Sequence, residues 1–132
     1  MSRELSQSLT AAEYRALMHQ GPHGETLPAR AALISRYAGM NRLEQSYAAA
    51  LDEQSQIQIW WYESLKFKLA DRTFYTPDFL VQTTEGFLEL HEVKGFWRDD
   101  ARVKWKTCAA LYPQFRWIAV QRIKGQWQEE RL

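Results

Sequence analysis

The sequence predicts an α/β fold, a mixed central sheet flanked by helices, from three observations. Apolar and polar residues alternate over residues 57–69, 73–83 and 87–94, the period of strands that bury one face. Helical patterning runs over residues 41–53 and 99–112. Gly, Pro, Asn and Asp separate these stretches and mark where the chain turns. The resulting order is α-β-β-β-α-β, with one more helix ahead of it.

Each element has its own signal. Residues 9–19 read as a short helix capped by Thr10, with Glu13 three positions on completing a capping box. Gly21-Pro22-His23-Gly24 breaks it, and the stretch to Pro28 reads as an exposed linker. Residues 1–28 are therefore expected to form an N-terminal helix and linker, and residues 29–132 the main domain. Helical patterning resumes near Ala29 and is interrupted at Gly39. Asn41 is a favourable N-cap for a helix running to about Glu53, with Leu43, Tyr47, Ala50 and Leu51 in one apolar stripe. Glu44 lies at the edge of that stripe, where it can face inward.

Over Ile57–Leu69, Ile57, Ile59, Trp61, Leu65, Phe67 and Leu69 point one way, and Gln58, Lys66 and Lys68 the other. Glu63 breaks the register, which predicts a bulge near Tyr62-Glu63-Ser64. Ala70-Asp71-Arg72 turns into a strand over Thr73–Thr83, and Thr84-Glu85-Gly86 into another over Phe87–Lys94. The three strands form an antiparallel meander ended by Gly95. Asp99 and Asp100 open a helix to about Tyr112, with the acids at its positive end, and Pro113 stops it. Phe115–Val120 is a fourth strand, reached through a helical crossover and so parallel to the third. Ile123-Lys124-Gly125-Gln126-Trp127 is placed to fold back as a hairpin before a polar tail.

Composition narrows the class. At 45% apolar and 25% charged, the chain of 132 residues has the balance of a globular domain able to bury a core without disulfides. No apolar run approaches the roughly 20 residues of a membrane span, and Met-Ser-Arg-Glu-Leu-Ser-Gln-Ser has no signal-peptide segment. Cys108 is the only cysteine; it suits a reducing cytoplasm and reads as a small buried hydrophobe. A net charge of +1 does not advertise a nucleic-acid partner. The clustering says more: Arg98, Arg102, Lys104 and Lys106 follow Lys94 closely, and Arg116, Arg122 and Lys124 follow later. Such clustering can supply a phosphate-contacting face in a near-neutral chain, although a charge run is also what a solvated helix face looks like.

The chemistry concentrates between Tyr75 and Gly95. Pro77-Asp78 opens one apolar strand, and Glu92-Val93-Lys94 closes the next. Leu88, Leu90, Glu92 and Lys94 share one face by alternation; Phe87, Glu89, His91 and Val93 share the other. A carboxylate and an ammonium beyond two leucines are costly unless they pair or bind a metal. Carboxylate oxygens suit Mg²⁺, which needs only one or two of them and keeps waters for the rest of its shell. Taken as plain structure, Glu92 and Lys94 would be a surface ion pair and Asp78 a turn residue. The two strands and the Gly-containing turn between the motifs favour a site. His91, opposite Glu92, reads as a buried histidine paired with Glu89. Trp60 and Trp61 read as sheet packing, and Phe96, Trp97 and Arg98 as either a loop anchor or a DNA contact.

Pro77-Asp78 followed by Glu92-Val93-Lys94 resembles P-D…(D/E)-x-K, the signature of the restriction-endonuclease-like nuclease superfamily, whose core has the order α-β-β-β-α-β. Met40-Asn41-Arg42-Leu43-Glu44-Gln45-Ser46-Tyr47 resembles the first-helix motif of the Holliday-junction-resolvase-like branch, in which a helical glutamate joins the other carboxylates. The span from Asn41 to Val120, including Asp71-Arg72-Thr73-Phe74-Tyr75-Thr76-Pro77-Asp78-Phe79 and His91-Glu92-Val93-Lys94-Gly95-Phe96-Trp97-Arg98-Asp99-Asp100, is similar to small prophage-encoded nucleases related to phage endonuclease I. The resemblance implies a Mg²⁺-dependent deoxyribonuclease, with Mn²⁺ as a substitute. Asp78, Glu92 and the Val93 carbonyl would hold the ion. Glu44 would complete a second metal position or orient the attacking water, and Lys94 would position that water or offset growing charge. Arg98, Lys104 and Lys106 are the expected DNA contacts, Lys104 the strongest of the two lysines.

Three function classes follow. The first is a structure-specific endonuclease acting on branched DNA in phage DNA processing, in a bacterial cytoplasm. Symmetric cutting of two strands would favour a homodimer. The second is a nuclease-fold DNA-binding or assembly module with little or no activity. The third is an interaction protein whose acidic residues are merely solvated. Metal-dependent cleavage separates them.

Overall fold

The computed structural model describes residues 37–132. The expected helix at 9–19 with its Thr10–Glu13 cap, the linker to Pro28 and the helical stretch from Ala29 to residue 36 lie outside the described residues. The chain divides into two compact units, Met1–Ile59 and Trp60–Leu132.

In the first unit, Gly39 takes a left-handed turn with φ of 82°, a conformation glycine adopts without steric cost. Helix α1 then spans Arg42–Glu53, as the sequence predicts. Asn41 caps it: its side-chain oxygen accepts the Glu44 amide, and the Glu44 carboxylate accepts the Asn41 amide. Two amides that the helix itself cannot satisfy are thereby bonded. Tyr47, Ala48 and Leu51 form the buried stripe.

The strands are β1 (Ile57–Tyr62), β2 (Phe67–Ala70), β3 (Thr73–Tyr75), β4 (Phe79–Thr83), β5 (Leu88–Lys94), β6 (Arg116–Ile123) and β7 (Gln126–Arg131). They form a mixed five-stranded sheet of order β1-β4-β5-β6-β7 and a separate two-stranded sheet of β2 and β3. The expected three-strand meander is thus corrected at two points. Its first strand breaks after Tyr62, where Glu63 is left-handed with φ of 46°. Its second breaks at Thr76-Pro77-Asp78, where Pro77 has no amide to give a ladder. The irregularity predicted near Glu63 is real, but it ends the strand.

Strands β4 and β5 pair antiparallel through a turn at Gly86, φ 93°. Strands β5 and β6 pair in parallel across helix α2 (Asp99–Leu111), as expected of a helical crossover. Lys124 and Gly125, both left-handed, turn β6 into β7, matching the twist that tight hairpins favour. The predicted polar tail is therefore an ordered strand, its Glu129, Glu130 and Arg131 marking a charged sheet edge of the kind that resists further pairing.

The register places Leu90, Glu92 and Lys94 beside Trp117, Ala119 and Gln121 on one sheet face. There Trp105 and Cys108 of α2 pack with Leu90, Trp117, Ala119 and Phe67. The Tyr112 hydroxyl donates to the Lys68 carbonyl at 2.7 Å, tying the end of α2 to β2. Burial pushes the Cys108 thiol up to about 12, so it serves as packing, as read from the sequence. Among the described residues no helix is long and apolar enough to cross a membrane.

Candidate active site

Asp78 stands one residue before β4, opposite the end of β5. Its carboxylate accepts the Val93 amide at 2.8 Å, its own amide donates to Glu92 Oε2 at 3.3 Å, and its carbonyl accepts the Glu63 amide at 2.8 Å. The left-handed Glu63 is what turns that last amide toward Asp78, so strand β1 ends in a strained residue that holds a site residue in place. Lys94 Nζ lies 2.9 Å from Glu92 Oε1. The ammonium also lies 5.7 Å from the ring centre of Trp97. The structure thus brings Asp78, Glu92, Val93 and Lys94 together, as the sequence predicts.

Burial gives the arrangement its chemical character. Asp78 is 9% exposed and Glu92 3%, whereas the Lys94 side chain reaches the surface. Carboxylates this sheltered are costly as anions unless a cation or several donors face them. The donor set fits a hard divalent ion: two carboxylates and a peptide carbonyl, with no sulfur or imidazole among them. Among the described residues no group of three or more His, Cys, Asp and Glu side chains forms a metal cage. Mg²⁺ at this place would rest on the carboxylate pair, the Val93 carbonyl and waters.

Tyr75 is the site neighbour that sequence reasoning missed. Its hydroxyl is buried and makes no hydrogen bond with good geometry. Burial first, then the charge of Glu92 and a loose hydrogen-bonding approach to it, then the charge of Asp78, push its pKa far above the ordinary tyrosine value. It stays protonated, a donor beside two carboxylates. Its place three residues before Asp78 was the available signal, masked by its reading as one more apolar strand residue.

The other expected residues have distinct settings. Glu44 lies in the first unit, where its carboxylate accepts the Asn41 amide at 2.9 Å. Arg98 is exposed at the N-cap position of α2, with no side-chain capping bond. Lys104 and Lys106 are both exposed on α2 but stand about 160° apart around its axis. Lys106 lines an apolar groove with Ala109, Pro113 and Phe115. His91 is buried on the opposite sheet face, its Nε2 3.1 Å from Glu89, in the pairing the sequence suggested.

No family model, curated protein or solved structure matches this chain.

Proposed function

We propose that this chain is a metal-dependent DNA endonuclease that hydrolyses phosphodiester bonds, with Mg²⁺ as its ion and Mn²⁺ as a substitute. One observation carries the reading. Two sheltered carboxylates, Asp78 and Glu92, meet an ammonium, Lys94, where two adjacent strands end. The resemblance to P-D…(D/E)-x-K supports the same conclusion.

Asp78, Glu92 and the Val93 carbonyl would hold the ion, and the Val93 amide fixes Asp78 for that purpose. When bound, Mg²⁺ supplies polarisation of the phosphoryl oxygens and a more acidic water. Lys94 is paired with Glu92. The Lys94 ammonium would position the attacking water and offset charge on the phosphorane. The protonated Tyr75 hydroxyl would offer a donor beside the carboxylates. Glu44 is proposed as the third carboxylate, orienting the water or completing a second metal position. Arg98 and Lys104 would contact phosphates.

A structure-specific enzyme acting on branched DNA in phage DNA processing is the preferred form, because base readout by a site-specific enzyme usually needs more chain. Symmetric cutting would call for a homodimer. The test is a panel of junction, flap, nicked, single-stranded and linear duplex DNA with Mg²⁺, Mn²⁺ or chelator. Cleavage with either ion and none in chelator is expected. Binding without cleavage under every condition would select the nuclease-fold binding module instead.

A further inference from the structure

We infer that Phe96 is a wedge that stacks on a base step beside the scissile phosphate, so that DNA with an already weakened step is the favoured substrate. The inference rests on the proposed DNA-cleaving function and deepens it.

The sequence left Phe96, Trp97 and Arg98 together as loop anchor or DNA contact; the structure separates them. Trp97 packs against the core beneath α2, its ring 5.6 Å from Trp105. The Gly95 carbonyl accepts the Gln121 side chain at 3.2 Å. The loop is thereby held on both sides of Phe96, which is itself 79% exposed, the most of any large apolar side chain among the described residues. Two other exposed phenylalanines are covered by cations: Lys66 lies over Phe74 at 4.5 Å and Arg116 over Phe87 at 3.5 Å. Among the described ring and cation contacts none involves Phe96. A loop anchored on either side of an uncovered aromatic presents that ring to an occupant at little ordering cost.

The surroundings choose the occupant. Phe96 lies two residues beyond Lys94, within about 7 Å of chain, or about two stacked bases. Lys94, partly exposed, lies 5.7 Å from the Trp97 ring centre, and Arg98, two residues beyond Phe96, is exposed. An exposed apolar ring two residues from Lys94 on one side and from Arg98 on the other complements a base and its flanking phosphates, the contact that wedging and stacking side chains make. An apolar protein surface would not complement the cations.

The full chain is tested in chelator, where binding is read without cleavage, on DNA carrying 2-aminopurine at a nick or junction and on the matching intact duplex. Wild-type protein should change the probe's fluorescence at the discontinuity and prefer that DNA. Phe96→Ala should lower the preference ratio at least about fivefold, the low end of what one base–aromatic stack contributes. Phe96→Trp should retain it, and the melting temperature of both variants should match wild type. A ratio unchanged in Phe96→Ala, or no DNA binding by wild type, overturns the wedge. Cleavage with Mg²⁺ together with an unchanged ratio sinks the wedge alone. A changed ratio with no cleavage under any metal supports the wedge and sinks the nuclease reading alone.

Discussion

Asp78 is hydrogen-bonded through its carboxylate, amide and carbonyl, to the amide of Val93, to Glu92 and to the left-handed Glu63 in turn. A surface turn residue would not need such fixing. Tyr75 completes the picture from the donor side. Because its buried hydroxyl makes no well-formed bond, little offsets its desolvation. Tyr75→Phe should therefore leave the metal-free protein as stable as wild type or up to about 1 kcal/mol more stable, as read by urea unfolding. A loss of more than that amount would mean the hydroxyl is structurally satisfied. Sequence reading reached Asp78, Glu92 and Lys94 because a motif names them. It missed Tyr75 because proximity across a break between strands leaves no periodic trace.

At the scale of elements, α1 and the reverse face of the sheet each carry a test. Glu44 completes the capping box, and glutamine serves that role as well as glutamate. Glu44→Gln should accordingly keep stability while lowering metal-dependent cleavage, the outcome expected of a third carboxylate. Glu44→Ala should in addition lose roughly 0.5–1 kcal/mol of stability. Full cleavage by Glu44→Gln would reduce Glu44 to a cap. On the reverse face, Glu89 is held below the usual glutamate range. The hydrogen bond with His91 is the main cause, with the charges of His91, Arg131 and Arg116 adding to it and burial opposing. A carboxyl depressed in the folded state stabilises above its unfolded value, near 4.5, and loses that contribution as pH falls through its folded value. Urea unfolding from about pH 6 to pH 3 should show the gap between wild type and Glu89→Gln closing as pH falls. A constant gap would contradict it. Helix bounds, the parallel crossover and the β6–β7 hairpin were legible in the sequence, since caps, Pro113 and Lys124-Gly125 act locally. The breaks at Glu63 and Pro77 were not. Leu65, Phe67 and Leu69 continue the alternation of β1, and nothing local says that they pack on the core from a separate hairpin.

For the molecule as a whole, a net charge of +1 conceals where its cations lie. Arg102 is committed to Glu130 at 2.6 Å. Arg98 and Lys104 are exposed near the start of α2, whereas Lys106 points to the opposite flank, along the apolar groove. Arg98→Ala and Lys104→Ala should each weaken DNA binding and reduce the slope of log affinity against log salt by about one. Lys106→Ala should leave that slope unchanged, a division the sequence could not supply because neighbouring lysines look alike until the helix is built. If Lys106→Ala alone flattens the slope, DNA lies on the groove side. The central claim, that Asp78, Glu92 and Lys94 form a metal-dependent nuclease site, is tested most directly by nicking of supercoiled DNA in Mg²⁺ by wild type and Asp78→Asn side by side. The account predicts nicking by wild type, none in chelator, and a rate at least about a hundredfold lower in the variant. Robust Mg²⁺-dependent nicking by Asp78→Asn would contradict it.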